Sequence, residues 1–238
     1  MRLLTAFLIL FSYISFSLAA QTEDSARNIE VKWKEGKEYH FKTKIALYSQ
    51  SGSDMPPMVI ESPLDVKVES VKGDGTASLV LTKKMIFPAF AKAGQTPSTS
   101  IKRVTINNKG RVIGGDNVRS TMAFGSLLPN KPVKKGDSWK PNLDELGAIT
   151  RFGLTWGAQA QCTYKGIEKL GNNQVAHIDV KFIKKSGSKT KKCGGGKLLV
   201  DTKDGLVRSL NFDITNLKAA FSKKTVPFSK IILRMSRS

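Results

Sequence analysis

Val68-Glu69-Ser70-Val71-Lys72-Gly73-Asp74-Gly75-Thr76-Ala77-Ser78-Leu79-Val80-Leu81-Thr82 is two runs of alternating apolar and polar residues joined by a glycine-rich turn. Alternation with period two places every second side chain on one face, as a strand with one wet face requires. Lys72-Gly73-Asp74-Gly75 is hairpin chemistry, because glycine and aspartate tolerate the backbone angles of tight turns. The stretch recurs. IEKLGNNQVAHIDVK, Ile167 to Lys181, lies on it without gaps and pairs Val68 with Ile167, Glu69 with Glu168, Val71 with Leu170, Ala77 with Ala176, Leu79 with Ile178 and Leu81 with Val180.

Two further anchors recur in the same order. Gly36-Lys37-Glu38-Tyr39 corresponds to Gly136-Asp137-Ser138-Trp139, and Val104 to Ile113 corresponds to Leu199 to Arg208 with Gly110 opposite Gly205. The offsets are about 100, 99 and 95 residues, near enough to constant for a tandem duplication. The expected fold is therefore mainly β: antiparallel sheet from two tandem β-rich repeats, joined by a short linker helix. The divisions expected are 1–19 leader, 20–115 first repeat, 116–130 linker and 131–238 second repeat. Asp116-Asn117 would cap a helix over Val118 to Gly125, and Asp144-Glu145-Leu146 would add a turn.

The chain opens MRLLTAFLILFSYISFSLAA, with Arg2, an apolar run from Leu3 to Leu18 and the small-x-small signal Ser17-Leu18-Ala19. This is the pattern of an export signal cleaved near Ala19 or Ala20, leaving about 218 residues in a periplasmic or secreted protein. No later segment reads as a transmembrane span. Hydrophobic content of 40% argues against disorder. The net charge is +20, and about +19 without the leader, which attracts anionic partners without selecting one.

Three groups of residues suggest catalytic or cofactor chemistry. Ser138 in Gly136-Asp137-Ser138-Trp139 resembles the nucleophile block of GDSL-type lipases and esterases, yet its counterpart in the first repeat is Glu38, and His40 and His177 are the only histidines. A triad needs a histidine and an acid brought to the serine. The alternation puts His177 on a half-exposed strand face opposite Ala176 and Ile178. The residues Lys184 to Lys197, rich in glycine and lysine, suggest a phosphate loop, but Lys197 is followed by Leu198 where Ser or Thr is required. They read instead as a mobile hairpin loop. Cys162 and Cys193 have no cysteine neighbours and no histidine at ligand spacing, so no metal site or cofactor is expected. In an oxidising compartment the pair is expected to form a disulfide.

The leader, Leu127-Leu128-Pro129-Asn130-Lys131-Pro132-Val133-Lys134-Lys135-Gly136-Asp137-Ser138-Trp139 and the INNKGRV and DTKDGLV hairpins together resemble a family of uncharacterised exported bacterial proteins with a duplicated β-rich body. A more distant architectural likeness is to periplasmic carriers of lipoproteins and lipids. That likeness implies a curved half-barrel around an apolar cavity, which Met122, Phe124, Leu127 and Leu128 of the linker would line.

The expected function is non-catalytic binding of an anionic envelope or extracellular component, such as anionic lipid or acidic polysaccharide. The binding residues would be Lys184, Lys185, Lys189, Lys191, Lys192 and Lys197, with the basic tail Ser229 to Arg234 contributing. The alternative is carriage of an apolar ligand, a lipid or an acyl chain, between the halves. Nucleic acid is a weak candidate, since no recognition motif accompanies the charge.

Overall fold

The computed structural model describes residues 25–49, 56–88, 96–116, 123–142, 158–186, 189–221 and 224–238. The leader, Met122, the proposed cap at Asn117 and the turn at Asp144 to Leu146 lie outside them. Eleven strands run in chain order: β1 Glu38–Ser49, β2 Met58–Val71, β3 Ala77–Met85, β4 Ser98–Ile106, β5 Val112–Gly115, β6 Ser138–Trp139, β7 Ala158–Leu170, β8 Asn173–Ser186, β9 Lys189–Asp201, β10 Val207–Phe221 and β11 Lys224–Arg237. All pair antiparallel in one open sheet of order β5-β4-β3-β2-β1-β11-β10-β9-β8-β7-β6. The described linker contains a 3-10 turn, Ala123–Leu127, where an α-helix was expected.

Alternation accounts for the two faces. In β1, Phe41, Ile45 and Leu47 are buried while Lys42 and Lys44 are exposed. The same inner face carries Ile60, Leu64, Val66 and Val68 of β2 and Ile178, Val180 and Phe182 of β8 in one core. Each such side chain contributes on the order of 2 kcal/mol by burial.

The halves share local geometry. Gly36 N–H donates to Val68 O and Val68 N–H to Lys37 O; likewise Gly136 N–H donates to Tyr164 O and Tyr164 N–H to Asp137 O. Gly36 and Gly136 both have positive φ, 73° and 95°, a conformation that disfavours any residue with a Cβ. Both first hairpins carry a register shift, between Val68 and Ser70 and between Tyr164 and Gly166. These features make Val68 equivalent to Tyr164 and Val71 to Ile167. The ungapped pairing Val68/Ile167 is thus out of step by three residues on the first arm, because β7 and β8 continue their ladder to Leu170 and Asn173 before turning. On the second arm Leu79 and Ile178 do correspond.

Sheet order has two consequences. The chain leaves one edge at β5 and re-enters at the opposite edge with β6, so the intervening linker crosses the sheet. Leu127 and Leu128 of that crossing are buried in the common core. A second crossing is made by residues 27–33, whose Ile29, Val31 and Trp33 are buried. Val31 N–H donates to Asn108 O in the β4–β5 turn, and Lys32 N–H donates to Asp204 O in the β9–β10 turn. In a flat sheet those turns would lie about 29 Å apart, six strand spacings. Adjacent residues of one strap reach both, so the sheet curls strongly at this end. Gly110 and Gly125 meet backbone to backbone beneath the strap, where no side chain fits.

Candidate functional site

The curled end encloses an apolar cavity of about 40 Å³ lined by Val31, Trp33, Phe41, Leu64, Leu128, Leu206 and Met235, with Gly110, Gly125 and Gly205 at its rim. That volume holds a few atoms and no acyl chain. Trp33 is buried, and its indole Nε1–H has no acceptor among the described residues. Trp139, by contrast, donates its Nε1–H to Leu127 O at 3.0 Å and so pins the linker to β6. The strap is tied from outside by Lys109 Nζ, 2.8 Å from Asn28 Oδ1 and 2.9 Å from Glu30 Oε1. The Lys109 hydrogen bond, followed by that of Asn28, holds the Glu30 carboxyl below the usual range.

The outer face carries the charges. Ser138 Oγ lies 2.8 Å from Thr163 Oγ1, a hydroxyl partner rather than a base. His177 is mostly buried rather than half-exposed: its Nδ1 is 3.1 Å from Glu168 Oε2 and its Nε2 is 2.9 Å from Asp179 Oδ1. Lys197 sits on Glu168 at 3.4 Å. Among the described residues no group of three or more His, Cys, Asp or Glu side chains is placed to hold a metal.

The lysine-rich segment is not a loop. β8 and β9 continue their ladder to Ser186 and Lys189, with Lys184 opposite Lys191, Lys185 opposite Thr190 and Ile183 opposite Lys192. Backbone pairing extends to Ser186 and Lys189, which limits the freedom expected of a loop. The register gathers Lys184, Lys185, Lys189, Lys191 and Lys192 at one hairpin end and leaves Lys197 five residues further along β9. In the basic tail, Lys230 and Arg234 both bind Asp213, at 3.0 and 2.8 Å.

The expected disulfide is absent. Cys162 lies on β7 and Cys193 on β9, with β8 between them, and both thiols are buried. Two strand spacings are about 9.6 Å, beyond the roughly 7 Å that a bridge spans. Cys162 pairs with Val180, which pairs with Gly196, so the cysteines are offset along the strands as well. Burial pushes the Cys162 thiol up to about 12. Native protein at pH 8 is therefore expected to resist alkylation at Cys162 and to label there once denaturant is added, which peptide mass spectrometry reads directly. Labelling of Cys162 in the folded state would contradict its burial.

The triple glycine of β9 has two faces. Phe182 and Phe212, both fully buried, stack edge to face at 5.3 Å on the inner side opposite Gly194 and Gly196. On the outer side, Gly195 lies between Lys181 of β8 and Asp213 of β10. A groove of about 490 Å³ follows, lined by Asp179, Lys181, Lys192, Asp213, Thr215 and Lys230. Sequence reading missed it because Lys184 to Lys197 read as a mobile hairpin loop rather than as paired strand; the alternation of Lys181 and Asp179 with buried neighbours was the available signal.

Neither a protein-family model nor a curated protein matches the chain. Among solved structures, a protein from Bacteroides fragilis described as exported and of YmcC-like fold is similar at 9% identity and a TM-score of 0.34, covering 90% of this chain and 100% of that one. A LolA superfamily protein from Nitrosomonas europaea is similar at 8% identity and a TM-score of 0.21, covering 87% of this chain and 86% of that one. Likenesses this low carry no argument about ligand or site.

Proposed function

We propose that this chain is an exported, non-catalytic binding protein that engages an anionic component of the cell envelope or its surroundings through the basic end of the β8–β9 hairpin. The supporting observation is the register. It sets Lys184 directly across from Lys191, with Lys185, Lys189 and Lys192 on adjoining rungs. Like charges opposite one another destabilise a ladder, and an anionic partner would remove that repulsion on binding. The overall charge of +20 would steer the encounter.

Flotation with vesicles containing phosphatidylglycerol is expected to capture the protein at low salt and to release it at about 0.5 M salt, where screening reaches only a few ångströms. Replacing Lys189, Lys191 and Lys192 by Gln should weaken capture more than replacing Lys42, Lys67 and Lys72. Equal loss from the two sets would reduce the effect to net charge, and absence of capture would sink this reading.

A second reading, carriage of an apolar ligand, draws on the buried Trp33 Nε1–H beside the strap cavity. It requires the strap to lift, since about 40 Å³ admits no chain. Binding to neutral lipid that survives high salt would favour it.

A further inference from the structure

A groove runs over Gly195 on the outer face of the sheet. It lies where Gly195 leaves no side chain between Lys181 of β8 and Asp213 of β10. Its walls are chemically mixed. Lys181 and Lys192 are exposed and make no ion pair among the described residues. Across from them, Asp213 is neutralised by Lys230 and Arg234; burial opposes its ionisation, but those two hydrogen bonds prevail and hold its carboxyl below the usual range. Asp179 is likewise engaged by Lys165 at 3.7 Å and by His177. Thr215 Oγ1 donates to Cys193 O at 3.5 Å, which leaves its oxygen open as an acceptor.

We infer that this groove is a binding site for an acidic saccharide, its carboxylate or phosphate held between Lys181 and Lys192 and its hydroxyls donating to Asp213, Asp179 and Thr215. The inference rests on the anionic-partner reading above and names the ligand class and a second contact region for it, adjoining the basic hairpin through Lys192. Three alternatives fit less well. A bilayer surface is too flat to enter a trough. A nucleic-acid backbone meets two carboxylates on the walls with few hydroxyls to offer them. A neutral glycan leaves both ammonium groups unpaired. The volume of about 490 Å³ lies within the range of small-ligand sites, roughly 300–1,000 Å³. The flat glycine backbone at the floor allows a ring to approach closely.

Calorimetric titration of the whole chain with tetragalacturonate and with neutral maltotetraose at low salt tests this. Tetragalacturonate should bind and maltotetraose should not. The double variant Lys181→Gln with Lys192→Gln should weaken tetragalacturonate binding about tenfold, against less than about twofold for Lys42→Gln with Lys67→Gln, an equal change of charge on the same face. Thermal melting of both variants at the wild-type temperature shows that the loss is one of contacts, not of folding. Equal weakening by the two pairs, or equal binding of the neutral sugar, overturns the groove assignment. Capture by anionic vesicles without any tetragalacturonate binding also overturns the groove and leaves the broader reading standing. Failure of both overturns both.

Discussion

Arg237→Ala is expected to destabilise the protein by about 3–5 kcal/mol, the cost of removing one partner from a buried ionic cluster. The guanidinium donates from Nη2 to Asp201 Oδ2 at 2.9 Å and from Nη1 to Asp204 Oδ2 at 2.7 Å, and it lies over the Tyr39 ring at 5.9 Å. The Arg237 and Asp201 side chains are only 7% and 8% exposed. Their other oxygens are committed: Asp201 Oδ1 accepts Lys203 N–H and Asp204 Oδ1 accepts Leu206 N–H, which builds the β9–β10 turn. Removing the arginine leaves two neighbouring carboxylates without a countercharge in the turn that receives the strap at Asp204 O. Urea unfolding should show the loss, and the melting temperature should fall by roughly 10 °C. Arg237→Lys should lose less, since it keeps the charge but not the two-pronged geometry. Adding Asp201→Asn to Arg237→Ala should recover part of the stability. A loss below about 1 kcal/mol would place the cluster with ordinary surface pairs.

Phe212→Ala is expected to cost a similar amount, about 3–5 kcal/mol, through the cavity it leaves. The ring is fully buried against Phe182, and the register sets it opposite Gly196, whose absent side chain makes the room. A Cβ at Gly196 would come within 2.9 Å of the Phe212 ring and onto the Asn211 carbonyl, so Gly196→Ala cannot refill the cavity without moving backbone. Phe182→Ala should behave alike, and the double variant should lose less than the sum, because both single changes remove the same ring contact. Strict additivity in chemical denaturation would contradict the packing described.

Much of the fold was legible beforehand. The alternation in β2, β3 and β8 identified strands and their inner faces, and Gly36, Gly110, Gly136 and Gly205 marked turns that the structure forms with positive φ. The site was far less legible. Lysine and glycine content drew attention to residues 184–197, yet composition could not separate a loop from a continued ladder, and two cysteines behind an export-signal pattern suggested a bridge that strand order forbids.

What the sequence determined by itself is local: which side chains share a face, where the chain turns, and that the pattern occurs twice. These follow from the two-residue period and from the backbone demands of individual glycines. Only the tertiary structure decided that β11 inserts between β1 and β10, that one strap draws the β4–β5 and β9–β10 turns together, and that Gly195 opens a groove between lysines and carboxylates of neighbouring strands. Pairing between distant strands is made by backbone N–H and C=O groups that are the same in nearly every residue. Which strands become neighbours therefore depends on how the whole inner face packs, and so does the company each outer side chain keeps.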